Sequence, residues 1–144
     1  MNYLTSLFTN KCPRCRQGDI FCTKSAYKKG FMKMPQECAE CGQPMELELG
    51  FYYGSAYVSY SLTVAISVAT FIAWWVLIGL SVDDNRVFEW LGFNALFLII
   101  LQPWLMRLSR AIWLSFFVKY NPNWKTEKPV ETESTVQEQL EIVA

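Results

Sequence analysis

Residues 57–80 read YVSYSLTVAISVATFIAWWVLIGL, 24 positions without a charge. As a helix this stretch is about 36 Å long, enough to cross a hydrocarbon core of about 30 Å with some tilt. Outward from it, no charged residue occurs between Glu48 and Asp83, or between Glu89 and Arg107. Residues 87–106 form a second apolar run that holds only Glu89 near its start. The polar link contains Asp83, Asp84 and Asn85, which favour a turn. Only 18% of the 144 residues are charged and 52% are apolar, against roughly 25% charged in an ordinary soluble domain. The reading is a helical hairpin across a bilayer rather than a soluble globule.

Lysine and arginine set the orientation. Lys11, Arg14, Arg16, Lys24, Lys28, Lys29 and Lys33 precede the first span, and Arg107, Arg110, Lys119, Lys125 and Lys128 follow the second. The connecting loop has Arg86 beside two aspartates. Both termini are therefore expected in the cytoplasm, in a multi-pass protein with a short outer loop. The start of the chain has no long apolar core of the secretory type.

Pro103 predicts a kink or break in the second run. Beyond it, residues 107–118 read either as an interfacial helix on the cytoplasmic leaflet or as the continuation of one long kinked helix. Arg107 and Arg110 share a face there and could grip a lipid phosphate or a partner's carboxylates, though plain membrane anchoring is the simpler reading. Residues 120–144 are polar and acidic and read as a disordered tail, with room for a short helix near 136–143.

All five cysteines lie in residues 1–50. Cys12-Pro13-Arg14-Cys15 and Cys38-Ala39-Glu40-Cys41 are two C-x-x-C units separated by 22 residues. Two such knuckles can close a tetrahedral set of four thiolates around one ion. Gly42 follows the second knuckle, where a positive φ turns backbone N–H groups toward sulfur. Arg16 occupies that place after the first, a less ideal turn. The expected fold is a small β zinc-ribbon head, with a hairpin turn at Lys28-Lys29-Gly30 and a last strand over 45–49. Cys12, Cys15, Cys38 and Cys41 are the candidate ligands of one structural zinc, their charge offset by Lys11, Arg14 and Arg16. Two other uses of the same sulfurs stay open: dithiol redox cycling, and a rubredoxin-like single iron that moves electrons. Cys22 reads as a small buried hydrophobe.

The chain has no histidine, which removes histidine-based acid–base chemistry and Ser-His-Asp triads. Formal net charge is zero, 13 basic against 13 acidic residues, and nucleic acid is not an expected partner. Membrane lipid accounts for the lysines of the head at least as well. Residues 50–57 are rich in tyrosine and suit the headgroup zone as an elbow between head and bilayer. Ser61, Ala65, Ala69 and Ala73 form a ridge of small residues for helix approach, within the hairpin or in a homo-oligomer or larger complex. Asn94 and Gln102 could bond across helices.

The stretches CPRCRQGDIF, CAECG and ELGFYYGSAYVSY, followed by two spans, resemble the bacterial domain-of-unknown-function family 983, in a Bacteroidetes-like version. The resemblance covers about residues 10–125 and implies no established activity. It implies a small membrane protein with a double C-x-x-C and a transmembrane hairpin. Relatives beside genes for cytochrome oxidase assembly suggest an accessory role at a respiratory complex. The expected organisation is thus a cytoplasmic zinc-ribbon-like domain over 1–50, the hairpin with an interfacial helix over 51–119, and the tail over 120–144. The expected function is that of a non-enzymatic docking or assembly module for a membrane complex. The alternative is a membrane-tethered thiol-redox or electron-transfer protein.

Overall fold

The computed structural model describes residues 2–81, 83–129 and 140–143. Three helices are named in chain order: α1 (Tyr3–Phe8), α2 (Tyr53–Leu77) and α3 (Arg86–Phe117). α2 and α3 are both long and apolar enough to cross a membrane. At 25 and 32 residues they measure about 38 and 48 Å. α3 therefore outruns a hydrocarbon core by more than ten residues. Its surplus end is buried by the cysteine-bearing head.

α2 stops where Gly79 takes φ +81°, a left-handed conformation that suits glycine at a helix end. Ile78 and Gly79 donate their N–H groups to the carbonyls of Trp74 and Trp75. Arg86 donates to the Ile78 carbonyl at 3.2 Å from the start of α3. The two helices then run antiparallel. Phe71 meets Trp90 edge-on with ring centres 5.1 Å apart, and Trp74 meets Phe93 at 6.0 Å. Between the two long helices, buried Asn94 accepts from Thr70 Oγ1 at 3.0 Å and donates to Ser67 Oγ at 3.3 Å. Asn94→Leu is expected to cost about 1 kcal/mol, the usual scale for an interhelical hydrogen bond in apolar surroundings. Thermal unfolding in detergent measures it, and an unchanged midpoint would show the cluster to be idle.

The ridge of Ser61, Ala65, Ala69 and Ala73 is exposed and faces away from this seam, as do Gly92 and Ala95. Larger side chains, Thr70, Phe71 and Trp74, form the hairpin's inner contact instead.

α3 passes through Pro103 as one helix, so no separate interfacial helix forms among the described residues. Proline supplies no N–H to the carbonyl of Ile99. One residue on, the Tyr27 hydroxyl donates to the Ile100 carbonyl at 2.8 Å, bringing a donor from the head to this stretch of backbone.

The head differs from a β-ribbon. Among the described residues there is no strand, only two isolated antiparallel bridges, Lys11 with Asp19 and Glu37 with Pro44. Each bridge closes one C-x-x-C loop. The turn at Lys28-Lys29-Gly30 is present, with Gly30 at φ +79° and the Phe31 N–H on the Lys28 carbonyl. The alternation expected over 45–49 holds as far as Glu48, with Met45 and Leu47 buried and Glu46 and Glu48 exposed, and fails at Leu49, which is fully exposed. The missing strands have a physical reason. Backbone acceptors that a sheet would pair are taken by side-chain donors. Arg107 bonds the carbonyls of Thr23, Lys24 and Phe31. Arg110 bonds Met32 and Tyr52 bonds Met45.

The head's core is not its own. Cys12, Cys15, Ile20, Phe21, Cys38, Met45 and Leu47 form one buried cluster with Ala111, Leu114 and Val118 from the end of α3. α1 packs on the same helix, with Phe8 stacked on Trp104 and the Tyr3 hydroxyl 3.0 Å from Ser115 Oγ. At the elbow, Trp113 Nε1 donates to the Phe51 carbonyl at 2.7 Å. A Cβ at Gly54 would sit 2.0 to 2.6 Å from three atoms of that pinned indole. Gly54→Ala is expected to destabilise by about 1–3 kcal/mol through overpacking. A matching fall in the unfolding temperature tests this, and tolerance of alanine would mean that the indole yields.

Candidate metal centre

Cys12, Cys15, Cys38 and Cys41 come together with all four Sγ atoms within 4.8 Å of one another. All four are free thiols, the first three buried and Cys41 partly so. Across the knuckles, Cys12 stands 3.8 Å from Cys41 and Cys15 stands 3.8 Å from Cys38. A tetrahedron with metal–sulfur bonds near 2.3 Å has edges of about 3.8 Å. The donor set thus fits a single tetrahedral thiophilic ion, zinc or iron.

The two knuckles repeat one backbone design. The Cys12 carbonyl accepts from the Arg16 N–H at 2.8 Å, and the Cys38 carbonyl from the Gly42 N–H at 2.9 Å. Arg16 and Gly42 both adopt positive φ, +57° and +67°. The first knuckle therefore reaches the same turn despite carrying arginine, which left-handed backbone disfavours by about 1–2 kcal/mol. The guanidinium carbon of Arg16 lies 4.0 Å from the centre of the Tyr120 ring, a contact that offsets part of that strain.

Backbone N–H groups aim at the sulfurs. Gly18 donates to Cys15 Sγ at 3.5 Å. Cys12 receives the N–H of Cys15, Cys38 those of Cys41 and Glu40, and Cys41 that of Gln43. Such donors stabilise negative sulfur. The interaction with Cys12 holds Cys38 well below the usual thiol range, helped by those two N–H groups. Cys12 is raised by the same contact and by burial, and Cys41 is raised mainly by burial. Cys12 and Cys38 thus shift in opposite directions, as expected when like charges share one site.

The three cations expected around the first knuckle take different posts. Lys11 pairs with Asp19 at 2.5 Å, and Arg16 covers Tyr120. Arg14 is buried, reaching the Cys41 carbonyl at 3.4 Å and the carbonyls of Glu127 and Lys128 at 2.7 Å. The Asn121 N–H returns to the Arg14 carbonyl at 3.2 Å, and Trp124 packs on the core. The first part of the stretch read as a disordered tail is therefore placed over the knuckle. Residues 140–143 form a helical turn, and residues 130–139 lie outside the described residues. Cys22 is exposed rather than buried and stands apart from the quartet.

In the sequence Gly18 reads only as part of the first knuckle's turn, three residues after Cys15, with no sign of its contact with the second knuckle. A Cβ there would lie 2.3 Å from Cys38 Sγ. Gly18→Ala is expected to push that sulfur aside and weaken metal binding by about 10–100-fold, the scale of a disturbed supporting contact. Competition against a chelator of known affinity reads the change, and wild-type affinity would remove Gly18 from the site.

No curated protein and no solved structure matches the chain. The profile of a family described as "Protein of unknown function (DUF983)" matches residues 28–117. That match takes in Cys38, Cys41, the tyrosine-rich elbow and both long helices, and it begins after Cys12 and Cys15. Its 90 positions are more than half of the 144, and the chain belongs to this family.

Proposed function

We propose that this protein is a non-enzymatic two-span protein of the bacterial inner membrane. Cys12, Cys15, Cys38 and Cys41 hold one structural zinc in its cytoplasmic head, and the head is a rigid docking module for a membrane complex. One observation carries the reading: the sulfur quartet lies in the same buried cluster as the end of α3. An ion bound there stiffens the head and fixes its angle to the anchor together. A head of roughly 40 residues needs such a staple to fold. The distribution of lysine and arginine supports a cytoplasmic head, and the contact of Asn121 and Lys128 with Arg14 supports placing the stretch after α3 on the same side as the head.

Metal analysis of the purified protein tests the ligand set. About one zinc per chain, in a colourless protein, is the expected result. A coloured iron protein with a potential-dependent spectrum would replace zinc by the electron-transfer alternative, and absence of metal would overturn both. Affinity purification in mild detergent tests the docking role. Recovery of a defined complex supports it, and recovery of the protein alone counts against it.

A further inference from the structure

A cleft of about 1020 Å³ opens between the head and the start of α2, apart from the sulfur quartet. Met34, Glu37, Glu46 and Glu48 of the head line it together with Tyr52, Ala56 and Arg110. Arg110 was grouped with Arg107 by spacing, yet the two part company. Arg107 turns into the head, whereas Arg110 lines the cleft.

The guanidinium of Arg110 is positioned on both sides. It donates to the Met32 carbonyl at 3.3 Å, and its carbon stands 5.0 Å from the centre of the Tyr52 ring. No carboxylate pairs with it among the described residues. The Tyr52 hydroxyl donates to the Met45 carbonyl, which sets Glu46 beside the same ring. Burial raises the Tyr52 hydroxyl's pKa, with Arg110 opposing and Glu46 adding to the shift, so both charges act at this one point. The cleft thus carries one cation, Arg110, and three carboxylates, Glu37, Glu46 and Glu48, beside apolar walls. Its depth matters too. Glu48 and Arg107, with Arg110 one turn on, are the first charges at the head end of the two apolar runs, the level of lipid headgroups.

We propose that this cleft binds the headgroup of an ethanolamine phospholipid, with its phosphate on Arg110 and its ammonium on Glu46. Guanidinium forks match phosphate oxygens. A headgroup with no cation would leave Glu46 and Glu48 facing its phosphate. A choline headgroup has a cation but no N–H to donate. The acyl chains continue along α2, whose Tyr53 and Tyr57 are exposed beside the cleft. This inference rests on the membrane reading above.

The full chain is purified in mild detergent and offered equal amounts of phosphatidylethanolamine, phosphatidylcholine and phosphatidylglycerol, and retained lipid is read by native mass spectrometry. The ethanolamine lipid is expected to be retained about ten-fold over the others, the scale of one charge-assisted hydrogen bond. Glu46→Gln should abolish its advantage over the choline lipid. Arg110→Gln should lower retention of every headgroup. Because Arg110→Gln also removes the bond to Met32, Glu46→Gln keeps the test decisive if that variant misfolds: Glu46 is exposed and lies outside the buried core. Equal retention of all headgroups by the wild type, or an unchanged preference in Glu46→Gln, overturns the site. Release of the wild type from membranes by alkaline carbonate would instead overturn the membrane reading, so the two failures are distinguishable.

Discussion

Replacing Cys38 with serine is expected to release the metal and unfold the head while α2 and α3 remain a hairpin. Apparent binding energies for a structural zinc are about 10–16 kcal/mol, and small domains carry only about 5–15 kcal/mol in all. With zinc bound as proposed, most of the head's stability would depend on the ion. Cys38 is the severest single position, since it accepts N–H groups from Glu40 and Cys41 and packs against Gly18. A serine oxygen is a poorer ligand for a soft site. The hairpin survives because its inner contacts, Asn94 with Ser67 and Thr70 and Phe71 with Trp90, involve no residue of the head. Elemental analysis should show zinc falling to near zero. Proteolysis should open residues 1–50, while helical circular dichroism holds. Cys22→Ser is the control and should change neither, since that thiol is exposed. A Cys38→Ser protein with full zinc and a resistant head would end the metal proposal.

How much of this was legible beforehand follows from the range of each interaction. The hairpin was readable because a long uncharged run reports its own environment residue by residue. The quartet was readable because two C-x-x-C loops fix pairs of sulfurs locally, and only the meeting of the pairs had to be inferred. The strand expected over 45–49 has its alternation from Met45 to Glu48 but not at Leu49, which is exposed, and it lacks the expected pairing. Periodicity shows which side chains face inward, but not whether a carbonyl is met by a neighbouring strand or by Arg107 from the far end of the chain. The same blindness applied to Arg14, whose partners at Glu127 and Lys128 lie 113 and 114 residues away. It applied to Gly54 as well, since nothing in GFYYGSAYVSY announces that an indole from position 113 lies against it.

Arg107→Ala is expected to lower stability by about 3–5 kcal/mol and to loosen the head from α3 without emptying the sulfur quartet. The side chain is only 2% exposed. It donates to the Phe31 carbonyl at 2.9 Å, the Lys24 carbonyl at 3.2 Å, and both the carbonyl and the hydroxyl of Thr23. Its guanidinium carbon lies 4.5 Å from the centre of the Phe21 ring. Alanine would strand three carbonyls that have no sheet partner to fall back on, and each lost charge-assisted bond counts for about 1.5–3 kcal/mol before non-additivity. Arg107→Lys should recover only a minor share. It restores charge, but one ammonium cannot replace a planar fork spread over residues 23–31. Arg107→Met separates packing from bonding, since it fills the volume and supplies no donor. Thermal unfolding in detergent gives the size of the effect, and amide exchange over residues 20–33 gives its place. If alanine left both at wild-type values, the head would be held by its apolar contacts with Ala111, Leu114 and Val118 alone. If exchange rose while zinc stayed bound, the ion and the arginine would be separate supports, one organising the head and the other setting where it stands on the membrane anchor.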